Sequence, residues 1–210
     1  QGWGFYKAPI TNTPLPRVLL IGDSIVNGYR GTVASELKGQ AVVDIWLTAL
    51  HENSPDLLPL LRKVLSHGPY AVVHFNIGLH GWPKGRIPEG EYAPLMRKYV
   101  AALRKGAPNA VLIWGNTTPV MIKGASGQLD PAINPTIVER NALAATIMNE
   151  NKISINDLYG LMADKLNLGR GDQVHWSKAG SELQGKAVAA MILTNLTTKD
   201  TTGIQAKPGN

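Results

Sequence analysis

The chain contains no cysteine, which removes disulfide staples, thiolate metal sites and cysteine nucleophiles together. Aromatic residues make up only 6% of it, so stacking platforms for nucleobases are scarce. No stretch of about 18 consecutive apolar residues occurs, and no segment reads as a membrane-spanning helix. Lysine and arginine outnumber the acids 21 to 15, for a formal net charge of +6. No basic run approaches the tracts that bind nucleic acid, because the charge is scattered. Neither nucleic acid nor a membrane is therefore expected as a partner. The numbering opens on Gln1 rather than Met, which fits either a trimmed chain or a mature product after signal cleavage. Secreted, periplasmic and cytoplasmic locations all stay open.

The 210 residues, 44% of them hydrophobic, suffice for one sizeable core and are too few for two ordinary domains. Five short apolar runs punctuate the chain: RVLLIG (17–22), AVVDIWL (41–47), YAVVHFNIG (70–78), AVLIWGN (110–116) and the weaker KISIND (152–157). Helical patterns alternate with them. That alternation predicts parallel strands joined by crossover helices, and the near-continuous Val, Ile and Leu predict strands covered on both faces. Ser54-Pro55-Asp56 reads as an N-cap, a first-turn proline and a dipole-matching carboxylate ahead of a leucine stripe that closes at Gly68. Tyr92 to Leu103 repeats the helical spacing before Gly106, Asn134-Pro135 opens a helix to about Asn151, and a last helix spans roughly Ser177 to Leu196. The expectation is a three-layer α/β/α sandwich with a five-stranded parallel sheet over residues 17–196. Residues 1–16 read as an N-terminal extension and 197–210 as a polar tail.

Ligands of open α/β sheets sit at the carboxyl ends of the strands. The first strand runs directly into Gly22-Asp23-Ser24 and a helical pattern over 25–37. A serine there has its amide near a helix N-terminus, where a developing oxyanion is favoured. Asp23 or Ser24 also suits a plain helix cap. Neither GxxxxGK[ST] nor GxGxxG occurs at this turn, so it is no phosphate cradle. Near the other end, Asp172 and His175 lie three apart in GRGDQVHWSKAG, a spacing that sets a carboxylate against one imidazole nitrogen and leaves the other free, or merely braces a loop. A serine hydroxyl needs such a base at neutral pH.

Taken together, Gly22-Asp23-Ser24 and Asp172-x-x-His175 resemble the SGNH/GDSL hydrolases, over about Arg17 to Leu196. The resemblance implies a flavodoxin-like α/β/α fold with Ser24 as nucleophile, His175 as base and Asp172 as its orienting partner. The family completes its oxyanion hole with a glycine after the second strand and an asparagine in a Gly-x-Asn-Asp block after the third. Here the third block reads Asn76-Ile77-Gly78-Leu79-His80-Gly81-Trp82 and the second loop, LTALHENSP, has no glycine. Gly78 and His80 become the candidate oxyanion groups, with Asn76 as a second candidate or a brace within the strand. A backbone amide near Thr48 or Ala49 is an alternative donor. The Asn-x-Gly-Leu-His-Gly-Trp stretch looks like that of a bacterial branch of the GDSL hydrolases.

His51, His67 and His74 show no tight metal-ligand spacing, and no metal or cofactor is implied. Trp82 is a candidate for the substrate wall, whereas Trp46 and Trp114 read as core. The segments GWPKGRIPEG and 116–134 are long for connections and are expected to wall or cover the site. What the resemblance implies is a serine esterase acting on a short acyl ester, such as an O-acetyl group on a carbohydrate. Its rivals are an O-acetyltransferase with the same three residues and a non-catalytic carbohydrate-binding protein of the same fold.

Overall fold

The structure, a computed structural model, describes residues 3–9, 14–83 and 85–202. Its elements run β1 (Gly4–Tyr6), β2 (Arg17–Gly22), α1 (Ser24–Glu36), β3 (Val42–Leu47), α2 (Leu57–Leu65), β4 (Val72–Phe75), α3 (Tyr92–Gly106) and β5 (Val111–Gly115). There follow β6 (Met121–Ile122), β7 (Ala125–Leu129), α4 (Asn134–Glu150), β8 (Ser154–Asn156), α5 (Leu158–Ala163) and α6 (Lys178–Thr202).

All five apolar runs form strands, and those strands pair in parallel in the order β3-β2-β4-β5-β8. In β2 successive residues alternate between two cores: Leu19 and Ile21 pack with α2, α3 and α4, while Val18 and Leu20 pack with α1 and α6. All four are fully buried, which explains why the run shows no polar alternation: each face of a covered parallel strand needs apolar side chains. Asp44, alone polar in β3 and also buried, accepts from Arg17 Nη2 at 2.5 Å, Tyr70 Oη at 3.2 Å and the Ala8 amide at 2.9 Å. A charge without access to water requires this many partners.

The sheet has six strands rather than five. The sixth, β1, is antiparallel and lies on the edge, pairing Gly4 with Leu47, Phe5 with Trp46 and Tyr6 with Ile45. Part of the expected N-terminal extension therefore belongs to the sheet. Its three residues are too short to carry a periodic signal, and its pairing depends on an open edge of β3. The last helix also passes Leu196, because the first helix-breaking residue after it is Gly203; residues 203–210 lie outside the described ones. Within 116–134 the chain folds into the hairpin β6–β7. Ser54 does not cap α2: its hydroxyl takes the His51 amide at 2.9 Å, and the capping position falls to Asp56 without a side-chain bond. Among the described residues no helix is long and apolar enough to cross a membrane.

Candidate active site

The strand order puts the reversal of winding at β2, whose neighbours β3 and β4 are reached in opposite directions. The crevice beyond its carboxyl end is where such sheets bind ligands. Asp23 occupies the N-cap of α1, its Oδ1 accepting from the Ile25 amide at 2.9 Å. Ser24 is the first helical residue, so its own amide is a first-turn donor that no helical carbonyl reaches. The cap and the candidate nucleophile are thus adjacent residues with separate tasks. Burial pushes the Asp23 carboxyl up to about 6, against the opposing pull of the Ile25 N–H and the His175 charge. Its Oδ2 has no hydrogen-bond partner among the described residues.

His175 reaches the same point from the far end of the chain. Its Nε2 lies 2.9 Å from Ser24 Oγ and its Nδ1 lies 3.0 Å from Asp172 Oδ2. Asp172 Oδ1 accepts from the amides of Val174 at 3.1 Å and His175 at 2.7 Å, closing the loop on itself. Partial burial raises the Asp172 carboxyl, but the His175 and Val174 N–H groups and the imidazole outweigh it and hold the group down at about 2. Asp172 is therefore a carboxylate, which places the ring proton on Nδ1 and leaves Nε2 as an acceptor for the serine hydroxyl.

Two packing features bring these residues together. Helices α1 and α6 approach so closely that a Cβ on Gly185 would stand 2.6 Å from Thr32 Cβ. The β6–β7 hairpin then grips the loop that carries Asp172 and His175 from the side, the Met121 amide donating to Gln173 O at 2.8 Å and the Gly124 amide to Gly171 O at 3.1 Å. Trp176, one residue past His175, is buried and sends its Nε1 to Thr118 Oγ1 at 3.4 Å. It anchors the loop.

The block after β4 divides into two groups. Asn76 is buried and its Nδ2 donates to Asn116 O at 3.1 Å, bracing the ends of β4 and β5 rather than opening into the cavity. Gly78 packs so tightly on Thr117 that a Cβ would collide with its hydroxyl. His80 and Trp82 do line the cavity with Ser24. Desolvation, then the charges of Arg86, His51 and His175, lower the His80 pKa and favour a neutral ring that can donate one N–H. The Thr48 amide is not a spare donor, since it bonds to Gly22 O at 2.8 Å as the sheet ladder ends. Trp46 and Trp114 are core residues, 4% and 1% exposed.

The resulting cavity is about 450 Å³. Arg86, Lys123 and Arg170 also line it, and Trp3 sets its ring edge-on to His80 at 5.5 Å between centroids. Arg86 and Lys123 belong to the two long segments expected to wall the site, whereas Arg170 and Trp3 carry no sequence pattern. Glu52, buried behind Gly81, was equally invisible: it replaces no motif residue, and burial raises its carboxyl pKa.

No family model matches the chain, and no curated relative does. Solved structures do. An aryl esterase from M. smegmatis aligns at 16% identity with a TM-score of 0.71, over 85% of this chain and 99% of that one. A carbohydrate acetylesterase from Sinorhizobium meliloti aligns at 16% identity and 0.68, over 85% and 99%. A member of the lipolytic G-D-S-L family from Veillonella parvula aligns at 18% and 0.64, over 85% and 98%. At such identities the likeness is one of fold, and the fold is that of the SGNH/GDSL hydrolases.

Proposed function

We propose that this chain is a serine esterase that hydrolyses a short-chain carboxylic ester, such as an O-acetyl group on a carbohydrate, through an acyl-enzyme on Ser24. The single observation that carries this reading is the 2.9 Å contact between Ser24 Oγ and His175 Nε2, with Asp172 behind the imidazole at 3.0 Å. That geometry meets the requirement for general-base activation of a hydroxyl. Likeness of fold to esterases and to a carbohydrate acetylesterase supports the reaction class.

In the first half-reaction Ser24 Oγ attacks the ester carbonyl carbon while its proton passes to His175 Nε2. The negative charge then gathers on the former carbonyl oxygen, where the Ser24 amide and the neutral His80 ring are the candidate donors. Asp172 stabilises the imidazolium without taking its proton. Collapse breaks the bond to the alcohol oxygen, which leaves with the proton from His175. Water repeats the sequence in the second half, its proton going to His175 and its oxygen to the acyl carbon, and Ser24 is released as the hydroxyl. No cofactor enters these steps.

Incubation with a fluorophosphonate followed by peptide mass mapping tests the reading. A covalent adduct on Ser24, lost in Ser24→Ala together with turnover of 4-nitrophenyl acetate, is the expected result. A protein that binds an acetylated oligosaccharide yet neither forms the adduct nor turns over the ester is a binding protein. Faster acetyl transfer to an added glycan than to water would make it a transferase.

A further inference from the structure

The rim of the cavity over Ser24 carries an excess of positive charge. Arg86, Lys123 and Arg170 line it, and all three are exposed. The only carboxylate among the lining residues, Asp172, is already taken by His175 at 3.0 Å and by Arg170 Nη2 at 3.1 Å. Lys123 has no ion-pair partner among the described residues. Arg86 is steadied from within, its Nη1 donating to the carbonyl of His80 at 2.6 Å. The three cations are 86, 123 and 170 along the chain, so the field is assembled by folding and not by a basic run.

Three cations against one carboxylate around a substrate cavity concentrate anions and repel other cations. A guanidinium fork suits a planar carboxylate in particular. On the same wall Trp82 is partly exposed and offers a flat ring, the natural partner for the apolar face of a pyranose. The overall charge of +6 acts in the same direction at longer range. A sugar ring that bears a carboxylate satisfies both the aromatic wall and the cationic rim.

We infer that the ester cleaved here is carried on an acidic glycan, an O-acyl uronic acid whose carboxylate is held by Lys123, Arg170 and Arg86 while its acyl group reaches Ser24. The inference rests on the esterase reading above and specifies the alcohol side of the ester.

The test is acetate release from O-acetylated oligogalacturonate and from the same oligosaccharide with its carboxylates methyl-esterified, which differ in charge but not in the scissile bond. The acid form is expected to show kcat/KM roughly tenfold above the neutral form at low ionic strength, and the gap is expected to close in about 0.5 M NaCl. Lys123→Gln and Arg170→Gln should each lower the acid-to-neutral ratio about threefold, and Lys123→Glu should lower it further. Equal rates on the two forms, or no release from either while 4-nitrophenyl acetate is turned over, overturn the inference and leave the esterase reading standing. Failure on 4-nitrophenyl acetate with no adduct at Ser24 removes both.

Discussion

Ser24 Oγ and His175 Nε2 lie 2.9 Å apart although 151 positions separate them in the chain. Nothing local holds that distance. Ser24 is fixed by the end of β2 and the Asp23 cap, His175 by the Asp172 loop, and the two supports meet through α1 against α6 and through the hairpin that grips residues 171–173. Chemistry at this site is accordingly sensitive to the orientation of the imidazole, the shape of the loop after β4, and the buried charge beneath the serine.

Asp172→Asn should lower kcat on 4-nitrophenyl acetate by roughly 10⁴ with folding intact. The carboxylate accepts a hydrogen bond from Nδ1–H and so keeps Nε2 free to accept from Ser24; an amide can present its NH₂ instead and reverse the tautomer. Steady-state kinetics together with the thermal midpoint separates this from unfolding. A loss smaller than about tenfold would mean that another group orients the ring.

His80→Ala should cost about 10²–10³ in kcat with KM little changed, provided the imidazole N–H meets the oxyanion. The ring lines the cavity and is favoured in its neutral form. Unchanged kcat would assign the oxyanion to backbone amides, among them that of Ser24.

Gly78→Ala should destabilise the protein by about 1–3 kcal/mol, the usual cost of overpacking, because the new methyl meets the Thr117 hydroxyl. Adding Thr117→Ala removes that hydroxyl and should recover more than half of the loss. Urea titration of the two single variants and the double variant measures the coupling directly; strict additivity would show that the glycine answers to some other contact.

Stability should fall as pH rises through the titration of Asp23. Its folded pKa is raised by burial from 3.8 to about 6. The folded state therefore prefers the protonated acid, and that contribution is complete below 3.8 and lost as pH passes 6. The linked change is up to ~3 kcal/mol. Asp172 works in the opposite sense and lower down: depressed to about 2, it stabilises above its unfolded value and loses that contribution as pH falls through 2. Asp23→Asn keeps an oxygen for the Ile25 amide and removes the titration, so its urea unfolding free energies at pH 4 and pH 7.5 should differ less than those of the unsubstituted protein. An identical pH dependence in both would assign the effect elsewhere.

The parallel strands were legible in the chain because RVLLIG, AVVDIWL and YAVVHFNIG each bury both faces, and two-sided burial leaves a continuous apolar run. The edge strand β1 was not, since pairing three residues to β3 is a property of the sheet's open edge and leaves no periodic mark. The Gly22-Asp23-Ser24 and Asp172-x-x-His175 patterns were visible as local spacings, one giving a strand-to-helix turn and the other a carboxylate within reach of an imidazole. Asn76 could be named but not aimed, because its side chain is turned toward Asn116 by the neighbouring strand end.

By itself, then, the sequence determined the succession of strands and helices and put forward Ser24, Asp172 and His175 as candidates, with Asp172 and His175 near enough in the chain to pair, all of which depends on neighbours a few residues away. Only the tertiary structure decided that Ser24 faces His175, that His80 and Trp82 enter the cavity while Asn76 does not, and that Arg86, Lys123 and Arg170 share one rim. The reason is physical. Backbone propensity and periodic burial act over one or two turns of chain, whereas convergence of side chains from distant segments is set by how helices and loops pack across the sheet.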